Sequence, residues 1–206
     1  MGRILRRIGR VILGVLLLLI LAFGVFYFIY NEQLPEGTTG PQADLLAQKM
    51  LKAINVDAYN NTRYLEWSFI DGAHQYKWDK ENGKVDVKWD DYTVKLNLNN
   101  TSNSIVNKEG TTLSAKESRD LTNTAWDYFN NDSFWLVAPF KAFDKGTTRS
   151  IVTLDDGSEG LLVTYSSGGT TPGDSYLWKL QPNGFPESFQ MWAWGYSNRR
   201  RGSDLG

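Results

Sequence analysis

Residues 74–98, HQYKWDKENGKVDVKWDDYTVKLNL, alternate between apolar and polar side chains over three successive segments. Tyr76 and Trp78, then Val85, Val87 and Trp89, then Tyr92, Val94, Leu96 and Leu98 share one parity within their segments. Lys77, Asp79, Asp86, Lys88, Thr93, Lys95 and Asn97 take the other. A period of two belongs to a strand with one buried and one wet face, so three hairpin-connected antiparallel strands are expected here. Asn82-Gly83 predicts a type I′ turn, and Asp90-Asp91 lies at a second tight reversal.

The same pattern extends in both directions. Leu65, Trp67 and Phe69 form one face of a preceding strand. Further strands are expected in RSIVTLDDG, GLLVTYSSG, DSYLWKLQPNG and FPESFQMWAWGY, with Tyr176, Trp178 and Leu180, then Phe185, Phe189 and Met191, on the apolar parity. Two segments break the period. QADLLAQKMLKAIN carries Leu45, Leu46, Met50, Leu51 and Ile54 at helical spacing, and its apolar face is expected to lie on the sheet that follows. Residues 114–144 open with Ser114 and Glu117 at capping-box spacing and predict two short helices meeting near Asn130, Asn131 and Asp132. About eight strands with helices in two insertions make the class α+β: a curved antiparallel sheet, or half-barrel, covering helices. Eight Trp, ten Tyr and ten Phe suit such a sheet.

Residues 11–30 hold no charge and would reach ~30 Å as a helix, the hydrocarbon thickness of a bilayer. Arg3, Arg6, Arg7 and Arg10 precede this run, and Glu32 and Glu36 follow it. The positive-inside bias places the basic stretch 1–10 in the cytoplasm and everything after residue 30 outside it. The alternative is a cleaved signal peptide, whose apolar region is typically ~7–15 residues and ends at a small-x-small site. The run here is longer and exits through VFYFIY, so 11–30 reads as an uncleaved signal anchor in contact with membrane lipid. Residues 31–41 read as a polar spacer, 42–196 as the folded domain, and 197–206 as a polar tail.

The chain has no cysteine, which excludes disulfides, thiolate metal sites and a cysteine nucleophile. Four of its 22 basic residues lie in the first ten positions, which leaves 18 against 23 acids, a net charge of about −5. So acidic a body is a poor partner for nucleic acid. His74 is the only histidine, and no Gly-x-Ser-x-Gly elbow accompanies it. LDDGSEG (154–160) lacks the ligand spacing of a calcium loop and reads as a hairpin turn. GGTTPG (168–173) lacks the Lys of a P-loop. Asp90 and Asp91, being adjacent, do not act as a carboxylate pair. No catalytic constellation, metal site or cofactor site is expected.

An export segment, one helix (ADLLAQKMLKAI), a strand meander, a helical insertion and a second meander together resemble the LolA-like fold, the half-barrel of periplasmic lipoprotein carriers. GAHQYKWDKENGKVDVKW and LWKLQPNGFPESFQMW resemble a family of Bacteroidetes-type envelope proteins with no assigned enzymatic activity. The resemblance spans roughly residues 42–192. It implies a bacterial inner-membrane protein, single-pass, with its domain in the periplasm and an apolar groove that shelters lipid or lipoprotein acyl chains. Carried onto this chain by parity, the groove lining is Trp67, Phe69, Tyr76, Trp78, Trp89, Trp178, Phe189 and Met191. The chain departs from the pattern in its anchor, which favours a fixed holder or sensor over a shuttle. It departs again at its end, where AWGYSNRRRGSDLG turns polar in place of further strands, which implies an exposed last edge or a truncated end. The alternative is a non-enzymatic structural or interaction protein of the cell envelope whose rings form a filled core. The two readings differ in whether the aromatic face encloses empty volume.

Overall fold

The computed structural model describes residues 2–30, 33–167 and 173–193, without the side chains of residues 2–5, 11 and 28–30. The polar tail at 197–206 and the side chain of Arg3 lie outside what is described. The chain divides into two units, Met1–Pro35 and Glu36–Gly206. The first is helix α1, Gly2–Tyr30, in which Arg6–Tyr27 is long and apolar enough to cross a membrane. The helix starts well before residue 11, and Arg6, Arg7 and Arg10 are exposed on it.

The second unit is α+β, with two antiparallel sheets. One holds β2 (Tyr64–Phe69), β3 (His74–Asp79), β4 (Lys84–Trp89), β5 (Tyr92–Asn97) and β6 (Ile105–Lys108) in that order, a plain meander. The other runs β1 (Thr38–Thr39), β7 (Thr147–Thr153), β8 (Glu159–Tyr165), β9 (Ser175–Leu180), β10 (Pro186–Trp192). The expected single sheet of about eight strands is therefore two sheets of five strands each among the described residues. Part of the expected spacer belongs to the fold, because Thr38 and Thr39 pair with Ile151 and Ser150.

Helix α2, Pro41–Ala53, starts with proline in its first turn, where a missing N–H costs nothing. It does not lie on the sheet that follows. Ala47 and Met50 are buried against Leu161, Val163, Tyr176 and Trp178, on the sheet formed a hundred residues later. Arg149 Nε donates to Asp44 Oδ1 at 2.5 Å and ties the first turn of α2 to β7. A short helix α3, Val56–Asn61, follows, capped by the Asn55 side chain.

Helix α4, Ala115–Val137, is one continuous helix rather than two, followed by a 3₁₀ turn at Ala138–Lys141. The capping box forms as expected: the Glu117 N–H donates to Ser114 Oγ, and the Ser114 N–H donates to Glu117 Oε2 at 2.8 Å. The Ser114 hydroxyl also donates to Glu117 Oε2 at 2.6 Å, and this bond first, then the one from the Ser114 N–H, holds the Glu117 carboxyl below its usual range. The Asn-Asn-Asp run that promised a break stays helical because Asp132 is held by partners on the sheet. Tertiary bonds there outweigh the weak helix preference of these residues.

Asn82-Gly83 does not form a type I′ turn. Asp79 pairs with Lys84 across a four-residue loop in which Gly83 takes φ 59 and Asn82 keeps a negative φ. The Asp79 carboxylate competes for the turn by accepting from Asn82 N and Nδ2. Asp90 and Asp91 are the turn between β4 and β5, with Asp90 at φ 44. The Asp156-Gly157 hairpin between β7 and β8 is as expected, with Gly157 at φ 78.

Candidate functional site

The aromatic parity of the meander does form one face. Trp67, Phe69, Tyr76, Trp78 and Trp89 belong to a single cluster with Val85, Val87, Val94 and Leu96. That face is covered. Ala125 and Phe129 of α4 are buried on it, with Leu121, Trp126 and Tyr128 packed alongside. The Phe129 ring lies 5.2 Å from Trp78, 6.3 Å from Trp67 and 6.4 Å from Tyr76. Trp67 stacks on Tyr76 at 4.6 Å. Tyr76 is 1% exposed and Trp89 is buried, while Trp67, Phe69 and Trp78 are half-buried. The indole N–H groups of Trp67 and Trp78 are buried without an acceptor, a cost borne by the ring packing around them.

The other three residues expected to line the groove lie on the second sheet. Trp178 is buried in the core beneath α2. Phe189 pairs with Trp178, and Met191 pairs with Tyr176, across β9 and β10. Both remain open to solvent, Phe189 at 42% and Met191 at 39%. The Phe189 ring lies 5.0 Å from Trp178, 6.0 Å from Tyr176 and 5.8 Å from Trp135, which is itself 48% exposed in the last turn of α4. Trp135 was not among the expected lining residues. The eight thus divide five to three between two sheets.

The structure also gives His74 a setting. Its Nδ1 lies 2.7 Å from Oδ2 of Asp132, and the Tyr76 hydroxyl donates to the same oxygen at 2.5 Å. Asn131 Nδ2 donates to the other oxygen at 2.9 Å. Asp132 is 2% exposed. A carboxylate oxygen accepts, so the His74 tautomer with its proton on Nδ1 is the one that bonds to Asp132. Burial, and then the bond to Asp132, push the Tyr76 phenol far above its ordinary range, so it stays a donor. The His74 ring stacks on Tyr128 at 4.1 Å, and Tyr128 meets Trp89 edge-on. The sequence did hold a signal for Asp132. It follows Ala125 and Phe129 at i, i+4, i+7 spacing, an acid placed on the apolar stripe of a helix.

A shallow polar groove of about 580 Å³ runs along the hairpin ends of the meander, between Ala73, Lys88, Asp90, Tyr92 and Lys108. Trp89 is the one expected lining residue that reaches it. Among the described residues no group of three His, Asp or Glu side chains is placed to hold a metal ion. Compared with known protein families, curated proteins and solved structures, the chain matches none.

Proposed function

We propose that this chain is a membrane-anchored, non-enzymatic interaction protein of a bacterial cell envelope. The observation that carries this reading is the covering of the aromatic face. α4 lays Ala125 and Phe129 over Tyr76, Trp78 and Trp89, and this cover supports a core in place of a groove. The His74–Asp132–Tyr76 cluster fits the same reading, since its bonds hold α4 to β3. α1 supplies the anchor, with its basic end in the cytoplasm and Glu36–Gly206 in the periplasm.

The finer architecture we propose is the LolA-like half-barrel, with the two sheets as halves around α4. What supports it is that α4 contributes Phe129 to the core of one sheet and Phe134 to the core of the other. A second reading, a module that shelters a lipid or lipoprotein acyl chain, keeps one specific support: Phe189 and Met191 stay exposed on buried Trp178 and Tyr176.

The test uses residues 36–206, first shown to unfold cooperatively. Organic extraction with mass spectrometry, and Trp emission during titration with a fatty acyl probe, are the readouts. The interaction reading expects no stoichiometric lipid and no saturable change. Stoichiometric lipid with a saturable response would replace it with the acyl-chain reading.

A further inference from the structure

We infer that Trp135, Phe189 and Met191 form a membrane-contact surface whose partner is the bilayer on which the chain is anchored. The inference rests on reading α1 as a membrane span. Phe189 and Met191 stand on one face of β10, two residues apart, and share that face with Tyr176 and Trp178 through the β9–β10 register. Trp135 comes to them from the end of α4, with its ring 5.8 Å from that of Phe189. The patch is therefore rigid. Its floor is the buried pair Tyr176 and Trp178, and its three exposed side chains carry no charge.

Two features select the bilayer as occupant. The first is reach. Residues 31–37 join α1 to β1, and seven residues fully extended span at most about 25 Å. The folded unit is thus held beside a lipid surface at high effective concentration, and docking on it needs no further encounter. The second is chemistry. Tryptophan prefers the level between headgroups and acyl chains, where its ring is apolar and its N–H finds an acceptor, and Phe and Met bury beneath it. Three large apolar side chains, each about two-fifths to one-half exposed, would otherwise face water.

The experiment uses the full chain in phosphatidylcholine vesicles that contain lipid brominated near the headgroup. All eight tryptophans lie between positions 67 and 194, so α1 contributes no emission. Resistance to alkaline carbonate first establishes that α1 is inserted. Bromolipid is then expected to quench part of the emission, and the share of Trp135 is read as the difference between the parent and Trp135→Phe. Trp135→Phe is expected to remove that share while keeping a ring in place, and Phe189→Ser with Met191→Ser to reduce it while Trp135 is still present. Inserted protein without quenching, or Trp135→Phe quenched as fully as the parent, overturns the inference. Release by carbonate overturns the span, and the inference with it, and is told apart by that first step.

Discussion

Nδ1 of His74 stands 2.7 Å from Oδ2 of Asp132, although the two are 58 residues apart. The contact joins the first residue of β3 to the second-last turn of α4, and the Tyr76 hydroxyl completes it. Removing the acceptor strands two donors inside the protein, which costs more than removing either donor alone. Asp132→Ala is expected to lower stability by about 2–3 kcal/mol, and Tyr76→Phe by about 1 kcal/mol. Urea unfolding of both variants and of the double variant checks this. Additive losses would mean that the two residues do not share one network.

Phe129 and Trp135 lie six positions apart on α4 and differ in what covers them. Phe129 is buried among Trp67, Tyr76 and Trp78, so Phe129→Ala is expected to cost about 3–5 kcal/mol. Trp135 is half exposed, so Trp135→Ala is expected to cost less than about 1.5 kcal/mol. Chemical denaturation of the two variants gives the comparison. Equal losses would contradict the placement of the helix.

Ile70 sits at the β2–β3 turn with φ 49, and its side chain is 60% exposed. A β-branched residue is strained in that region, while Asn and Gly are tolerated. Ile70→Asn is expected to raise stability by about 1 kcal/mol, since no packing is lost. A fall in the urea midpoint would show that Ile70 makes contacts which outweigh its backbone strain.

Asp156 is held at about 2, below its ordinary 3.8, first by the Ser158 hydroxyl, then by the Ser158 N–H and Lys179. A carboxyl lowered in the folded state stabilises the fold above its unfolded value, and the effect is lost as pH falls through the folded one. Asp156→Asn is therefore expected to be less stable than the parent at pH 5. That difference should close between about pH 4 and pH 2. A difference unchanged over this window would separate the effect from the charge.

Much of the local structure was legible. The alternation in residues 74–98 places Tyr76, Val85, Val87, Val94 and Leu96 on one buried face, and all five are buried. Ser114 and Glu117 announce the start of α4 through their own side-chain chemistry. Asn82-Gly83 misled because the Asp79 carboxylate caps Asn82 and a four-residue loop wins over a two-residue one.

What covers each face was decided only by tertiary structure. Period two says which side chains share a side of a strand, but it carries no information on which distant segment lies above them. The sequence by itself therefore determined an apolar N-terminal helix, an α+β unit and two sets of aromatic strands. Packing over long separations decided that α2 covers β8 and β9, that α4 fills the face of the meander, and that Asp132 is buried against His74. It also left Phe189 and Met191 open, because burial depends on the volume available between elements and not on the parity of the strand.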